Sequence, residues 1–210
     1  MNDTILKAFA TRAAVKVFDQ TKPVADTDIT TILEAARMSP SAYGLQPFQI
    51  VHVTNPAVRA ELVGAAYGQM QVSEAPHLFV IAARTDINTA FIEEFVLRTA
   101  ATRGMQVADL KGYSDMMVGD ITNRTPEGRA AWAGRQAYIA LGAMIETAAL
   151  LGVDAGPMEG FDVSKVDQIL GLAEKNLSAL CLLAVGYRGN DTYSQMPKVR
   201  ISMENFVVTI

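Results

Sequence analysis

Two pairs of cations stand near opposite ends of an otherwise acidic chain. Arg12 and Lys16 lie in Arg12-Ala13-Ala14-Val15-Lys16-Val17-Phe18, and Lys198 and Arg200 in Lys198-Val199-Arg200. Val15 and Val17 alternate with Lys16 and Phe18, which predicts extended backbone, where residues two apart share a face. Lys198 and Arg200 then point the same way, and Arg12 and Lys16 can converge on one spot. If the two pairs meet, they would hold one anion; left apart, they are ordinary solvated charges, the usual fate of Lys and Arg. Ser39-Pro40-Ser41-Ala42-Tyr43-Gly44-Leu45-Gln46-Pro47 offers hydroxyls and an amide without charge, donors suited to a polar heterocycle, although such a cluster also makes a plain surface turn. Gln69 and Gln71 add two more amides. Finally, Gly156-Pro157-Met158-Glu159-Gly160-Phe161-Asp162 joins permissive glycines, a rigid proline and a lone carboxylate between apolar runs. This reads as a short loop whose amides a ligand can approach closely, with an ordinary turn between elements as the plainer alternative.

Composition removes several other chemistries. With 210 residues, half of them hydrophobic, the chain can bury a sizeable core as one domain over 1–210. A formal charge of −4 and no Lys/Arg run argue against nucleic acid or an anionic membrane surface as partner and leave small molecules. The amino terminus lacks the basic and apolar regions of a secretory signal and no apolar run has the length of a span, so the expectation is a cytoplasmic protein. Cys181 sits in the apolar run Ala179–Val185 and is expected to be a buried, inert thiol. His52 and His77 each fall in a strand-like run, where core histidines are expected, and no cluster has metal-ligand spacing. No Gly-x-Ser-x-Gly elbow and no glycine fingerprint for a dinucleotide or phosphate loop occurs.

The elements that must position these residues follow from periodicity. Helices are predicted over residues 3–11 with Asp3 as cap, from Asp26 to just before Pro40, from Asn55-Pro56 to Ala66, from Asn88 to Gly104, from Thr125-Pro126 to Gly152, and around Val166–Leu170 after Asp162 or Ser164. Strands are predicted at Phe48–Val53, at His77–Ala83 and in a run ending at Gly186. Three or four strands with longer helices make an α+β or α/β layered domain. The region before Asn123 has the weakest periodicity and is expected to be a mobile lid or substrate wall. Between Ala137 and Leu151 only Glu146 is charged, so that helix is either central or shared with a second copy, and a homodimer is inferred. Phe206-Val207-Val208-Thr209-Ile210 is too apolar to hang free and should pack on a sheet or a partner.

Taken in order, Arg12-x-x-x-Lys16-x-Phe18, Ser39-Pro40-Ser41 through Gln46-Pro47-Phe48, Pro157-Met158-Glu159-Gly160-Phe161-Asp162 and Lys198-Val199-Arg200 resemble four motifs of the FMN-dependent NAD(P)H nitroreductases. Each is weak alone; the ordered set spans nearly the whole chain. The resemblance implies an α+β fold with a central, mainly antiparallel sheet flanked by helices, in an interleaved homodimer with two FMN sites at the interface. It implies NADPH or NADH as donor and an electron-poor small-molecule acceptor, a nitroaromatic or quinone, reduced by ping-pong hydride transfer. Its flavin contacts map onto Arg12, Ala13, Ala14, Lys16, Pro40, Ser41, Ala42, Gly44, Gln71, Pro157, Met158, Glu159, Gly160, Lys198 and Arg200. Arg12, Lys198 and Arg200 would hold the phosphate, and Pro40 and Ser41 would come from the other subunit. Lys16 and Glu159 are the residues assigned to the reaction. Lys16 would stabilise negative charge on the ring, and Glu159 would act chiefly through its backbone and by positioning. Tyr43, Gly68 and Tyr113 map near the substrate. Ala14, Gly44 and Gly68 depart from the family's usual residues, which bears on flavin affinity and substrate preference. A flavin-binding protein without turnover, or a relative with specialised ring chemistry, would share these motifs.

Overall fold

The computed structural model describes residues 2–210. A four-stranded sheet carries the molecule: β1 (Phe48–His52), β2 (His77–Arg84), β3 (Asp154–Met158) and β4 (Leu177–Gly186), in the order β1-β2-β4-β3, with every pairing antiparallel. This is the α+β arrangement that the sequence implies. In β2, Phe79 and Ile81 enter one core while Leu78, Val80 and Ala82 enter the other, as a period of two requires. The sheet is therefore buried on both faces. Against the first face pack α2 (Asp26–Met38) and α7 (Pro126–Leu150); against the second, α3 (Pro56–Ala65) and α8 (Val163–Leu170). A third apolar cluster joins α5 (Thr89–Arg103) and α6 (Lys111–Thr122) to the start of α7. The short α1 (Asn2–Thr11), α4 (Gln71–Glu74) and α9 (Met203–Phe206) complete the set.

Helix starts follow local chemistry. Asn55, Asn88, Thr125 and Asp162 each accept a backbone N–H of the first turn, and Pro56 and Pro126 stand where a missing donor costs nothing. Asp3 lies inside the first turn of α1 rather than capping it. One irregularity matters to the site. Opposite the step Ile81–Ala82, β4 carries an extra residue, Leu180, so that Cys181, Leu183 and Val185 face the first core while Leu177 and Ala179 face the second.

Three expectations need correction. Gly156-Pro157-Met158 is the end of strand β3, not loop; β3 is an edge strand, the setting in which proline's missing donor is tolerated. Residues 111–122, part of the stretch expected to be a mobile lid or substrate wall and given no helix, form helix α6, with the pairs Lys111–Asp115 and Asp120–Arg124 and with buried Met117 and Ile121. His52 and His77 are not core residues: His52 is exposed and His77 half-buried, and their Nε2 and Nδ1 atoms are 3.2 Å apart at the end of the sheet. Cys181 is buried as expected, and burial pushes its thiol up to about 11.

Candidate functional site

The segment carrying Arg12 and Lys16 is held against β3. Ala14 bridges Ala155 in parallel, and the carbonyl of Val15 lies so close to Gly156 that a Cβ there would sit 2.5 Å from it. Gly156 is thus required by close approach, and its consequence is that residues 12–16 run beside the strand leading to Glu159. Further along, Phe18 pairs with Arg188, the Gly189 amide donates to the Val17 carbonyl and the Asp19 amide to that of Tyr187. Val15 and Phe18 are buried while Lys16 and Val17 face outward.

Arg12, Lys198 and Arg200 come together. Lys198 Nζ donates to the Ala10 carbonyl at 2.7 Å, two residues before Arg12. Burial, then the charges of Arg200 and Arg188, hold the Arg12 pKa below its ordinary value; burial, then Arg12, Arg200 and Arg188, do the same for Lys198. Among the described residues no carboxylate pairs with Arg12, Lys198 or Arg200, whereas Arg188 is bound through its guanidinium to Asp154. Like charges gathered without counter-charge repel one another, and a bound anion relieves that repulsion.

Lys16 is fixed at both ends. Its amide donates to Asp191 Oδ2 at 3.0 Å, and its ammonium sits 4.3 Å from the centre of the Tyr193 ring. On the far side of β3, the turn at Glu159-Gly160 is held by two side chains. Tyr138 of α7 donates its hydroxyl to Glu159 Oε1 at 2.6 Å and lies 3.4 Å from the carbonyl of the bulged Leu180. Burial first, and then Glu159, push the Tyr138 hydroxyl well above the usual phenol range. Gln69 Nε2 donates to the carbonyls of Gly160 and Ala66 at 2.7 and 3.1 Å, while its Oε1 accepts from buried Gln71. The side chain of Met158 belongs to the second core, so only its backbone faces the site.

The loop after α2 goes elsewhere. Ser41 Oγ accepts the Gln46 amide, Gln136 of α7 accepts the Ala42 amide at 2.8 Å, and the Tyr43 hydroxyl donates to Asp120 of α6 at 3.1 Å. Tyr113 donates to the Tyr43 carbonyl and meets its ring edge-on, centroids 6.3 Å apart. Tyr43 and Gly44 both have positive φ, which only the glycine adopts freely. Exposed Pro40 lines a cleft of about 490 Å³ with Tyr138, Ile139, Gly142 and Glu146 of α7. Gly68 is exposed at φ +79, with open space where a Cβ would stand.

A sequence model of the Nitroreductase family matches residues 9–187, a span running from the cationic strip through the whole sheet. The chain belongs to the Nitroreductase family. A Staphylococcus epidermidis protein named as an NAD(P)H nitroreductase is 34% identical over 210 residues, covering 91% of this chain and 90% of its own. A Staphylococcus saprophyticus protein of the same name is 33% identical, covering 99% and 97%. Among solved structures, a Bacillus subtilis nitroreductase superimposes over the full length of both chains with a TM-score of 0.89 at 21% identity. An Exiguobacterium sibiricum nitroreductase in complex with FMN gives 0.83 at 17% identity, covering 98% of this chain and 97% of its own. At such identities the structural likeness is one of fold.

In this nitroreductase-family chain the fold therefore gathers two of the sequence-predicted groups, the cationic strip with the carboxy-terminal pair and the Gln71–Gly160 network. The Pro40–Gly44 loop makes its own hydrogen bonds with α6 and α7. Sequence reasoning missed Tyr138, Asp191 and Tyr193. Tyr138 was submerged in the apolar run of α7, and Gly189-Asn190-Asp191-Thr192 reads as any turn does.

Proposed function

We propose that the chain, as one domain over residues 1–210, is an FMN-dependent NAD(P)H oxidoreductase that reduces nitroaromatics, quinones or similar electron-poor acceptors in the cytoplasm. The observation that carries this reading is the cluster of Arg12, Lys198 and Arg200, uncompensated by any carboxylate among the described residues and held beside the strip that leads to Lys16. The donor set fits the cofactor. Three cations suit a terminal phosphate, and Lys16 and the backbone of Pro157–Gly160 lie along the adjoining strand edge, where a planar ring could be approached closely. FMN, when bound, would take a hydride from NADPH or NADH and pass it to the acceptor.

The residues divide the remaining work. Arg12, Lys198 and Arg200 hold the phosphate; Lys16 supplies positive charge that favours electron gain at the ring; Ala13 and Ala14, small beside the strip, leave room for the ligand. Glu159, its carboxylate engaged by Tyr138, positions the turn and leaves the backbone at Glu159-Gly160 to face the ring, with Gln71 beside it. Nucleotide and acceptor use one cleft in turn, which is a ping-pong sequence. A homodimer completes the site, with Pro40 and Ser41 supplied by the second subunit, Ala42 and Gly44 as further flavin contacts, and Tyr43, Gly68 and Tyr113 walling the acceptor side. The names of the staphylococcal relatives and the FMN-bound Exiguobacterium structure support this reading.

The test is an anaerobic titration. Desalted protein loaded with FMN is expected to retain the flavin spectrum and to bleach with NADPH or NADH; retained flavin that stays oxidised with both nucleotides would point to a binding protein, and no retention would overturn the assignment of the cofactor. Lys16→Ala is expected to slow acceptor reduction by about 100-fold or more, the order lost with one electrostatic stabiliser.

A further inference from the structure

We infer that Asp191 is a positioning residue for Lys16, and that Tyr193 sets the direction of the Lys16 ammonium. The inference rests on the reading of Lys16 just given.

Asp191 is only 3% exposed, and among the described residues no cation lies within ion-pair distance of it; Arg188, whose charge it feels, is bound to Asp154 instead. A buried carboxylate must have its oxygens satisfied by donors, and here backbone amides supply them. Oδ2 accepts the Lys16 amide at 3.0 Å, and Oδ1 accepts those of Tyr193 and Ser194 at 3.1 and 3.4 Å. The Ser194 hydroxyl returns a bond to the Asp191 carbonyl at 2.9 Å, and the Asp191 amide donates to Gly189. One carboxylate thus ties together segments 175 residues apart, the strip bearing Lys16 and the turn that leads into Lys198 and Arg200. Its second oxygen shapes the turn that places the Tyr193 ring 4.3 Å from Lys16 Nζ. The ring is 56% exposed and contributes little to the core, so its contact with the ammonium is its principal interaction. A lysine has four rotatable side-chain bonds and a strongly hydrated head; an aromatic face against that head narrows its directions without neutralising it.

A carboxylate is needed because two sets of donors arrive at two oxygens. In Asp191→Asn only one oxygen remains, and the amide nitrogen would present hydrogens to an N–H group. The variant keeps its shape and loses one side of the joint.

The decisive experiment compares wild type, Asp191→Asn, Tyr193→Leu, Tyr193→Phe, Lys16→Ala and the double variant Lys16→Ala/Asp191→Asn. In the flavin-free protein, amide hydrogen exchange at Lys16 and at Tyr193 is read directly. Asp191→Asn is expected to speed at least one of them about tenfold, the loss of one hydrogen bond to a charged group. In the flavin-loaded protein the midpoint potential is expected to fall for Lys16→Ala, for Asp191→Asn and for Tyr193→Leu, with no further fall in the double variant and with recovery in Tyr193→Phe, which retains the ring. Tyr193→Leu should do this at unchanged thermal stability, so its result stands even if Asp191→Asn folds poorly. Unchanged exchange together with an unchanged potential in Asp191→Asn would overturn the role of Asp191, as would additive shifts in the double variant. An unmoved potential in Tyr193→Leu would overturn that of Tyr193. Failure of wild type to retain FMN would instead defeat the proposed function, while the exchange measurement would still decide whether Asp191 holds Lys16.

Discussion

At the scale of single residues, the cations near the two ends of the chain act on one ligand only if its charge sits where they meet. Burial, then Arg200 and Arg188, lower the pKa of Arg12, and burial, then Arg12, Arg200 and Arg188, lower that of Lys198, so both stand in one positively charged cluster. Removing either one should therefore weaken binding of a phosphate-bearing flavin far more than that of its phosphate-free form. Arg12→Ala and Lys198→Ala are each expected to raise the dissociation constant for FMN by about 10- to 100-fold, the worth of one charge-assisted bond, and to leave riboflavin nearly unaffected; fluorescence titration with both ligands checks this. A second residue-scale prediction concerns His52 and His77. Burial, with Arg59 close by, lowers the pKa of His52; burial, His52 and Arg59 lower that of His77 against a small opposing pull from Asp26. The fold therefore favours the neutral rings. Their contribution is complete above the unfolded imidazole value of about 6.5 and is lost as pH falls through the depressed folded values. Melting temperature is expected to fall on acidification from pH 7 to 5, and His77→Gln should flatten that dependence. Because His52 is exposed, the effect is small beside that of a buried pair.

At the scale of elements, β3 is the piece on which the site depends. Its pairing with β4 aligns Pro157 with Leu183, and its contact with residues 12–16 needs the bare α-carbon of Gly156 under the Val15 carbonyl. Gly156→Ala would bring a methyl group against backbone that cannot rotate away. It is expected to cost about 1–3 kcal/mol in chemical denaturation and to reduce flavin retention together with stability, since the same contact serves both. This strand also marks the limit of what the sequence reveals. Asn55, Asn88, Thr125 and Asp162 announce their helices because capping is a local transaction, and the two cores of β2 are legible as alternation. Gly156-Pro157 looks like a turn because glycine and proline are turn residues almost everywhere; only a pairing with β4 confined to one edge, unreadable from local composition, makes them a strand. The Leu180 bulge is equally hidden, although it turns a carbonyl toward Tyr138. Helix α6 escaped notice because only Met117 and Ile121 of its twelve residues are buried, too few to mark a face. Motif residues were visible by their types and order, whereas their supports, Asp191 and Tyr138, were set by contacts between distant segments.

For the whole molecule, what a single chain leaves uncovered is as informative as what it buries. Leu6 of α1, Val199, Phe206 and Val208 are 67%, 89%, 71% and 83% exposed, and Ile139 and Leu150 of α7 are exposed as well. The tail, expected to pack on a sheet or a partner, is exposed throughout residues 201–210 of the single chain, and the proposed homodimer would supply its cover. Burying such side chains is worth about 1.5–3 kcal/mol each, so a second copy that covers them would be held firmly. Light scattering is expected to give a dimer, and Phe206→Asp/Val208→Asp to shift it toward monomer with loss of flavin. A monomeric wild type that holds FMN would remove the second subunit from the site. The sharper test mixes two strongly impaired proteins, Lys16→Ala and a variant in which Pro40 and Ser41 are both replaced by bulky residues. If the loop acts across the interface, each mixed dimer has one doubly altered site and one intact site. Unfolding and refolding the two together in equal amounts should then return activity at roughly a quarter of the sites, the share expected from random pairing. Should the loop instead act within its own chain, every site in the mixture carries one lesion, and no activity returns.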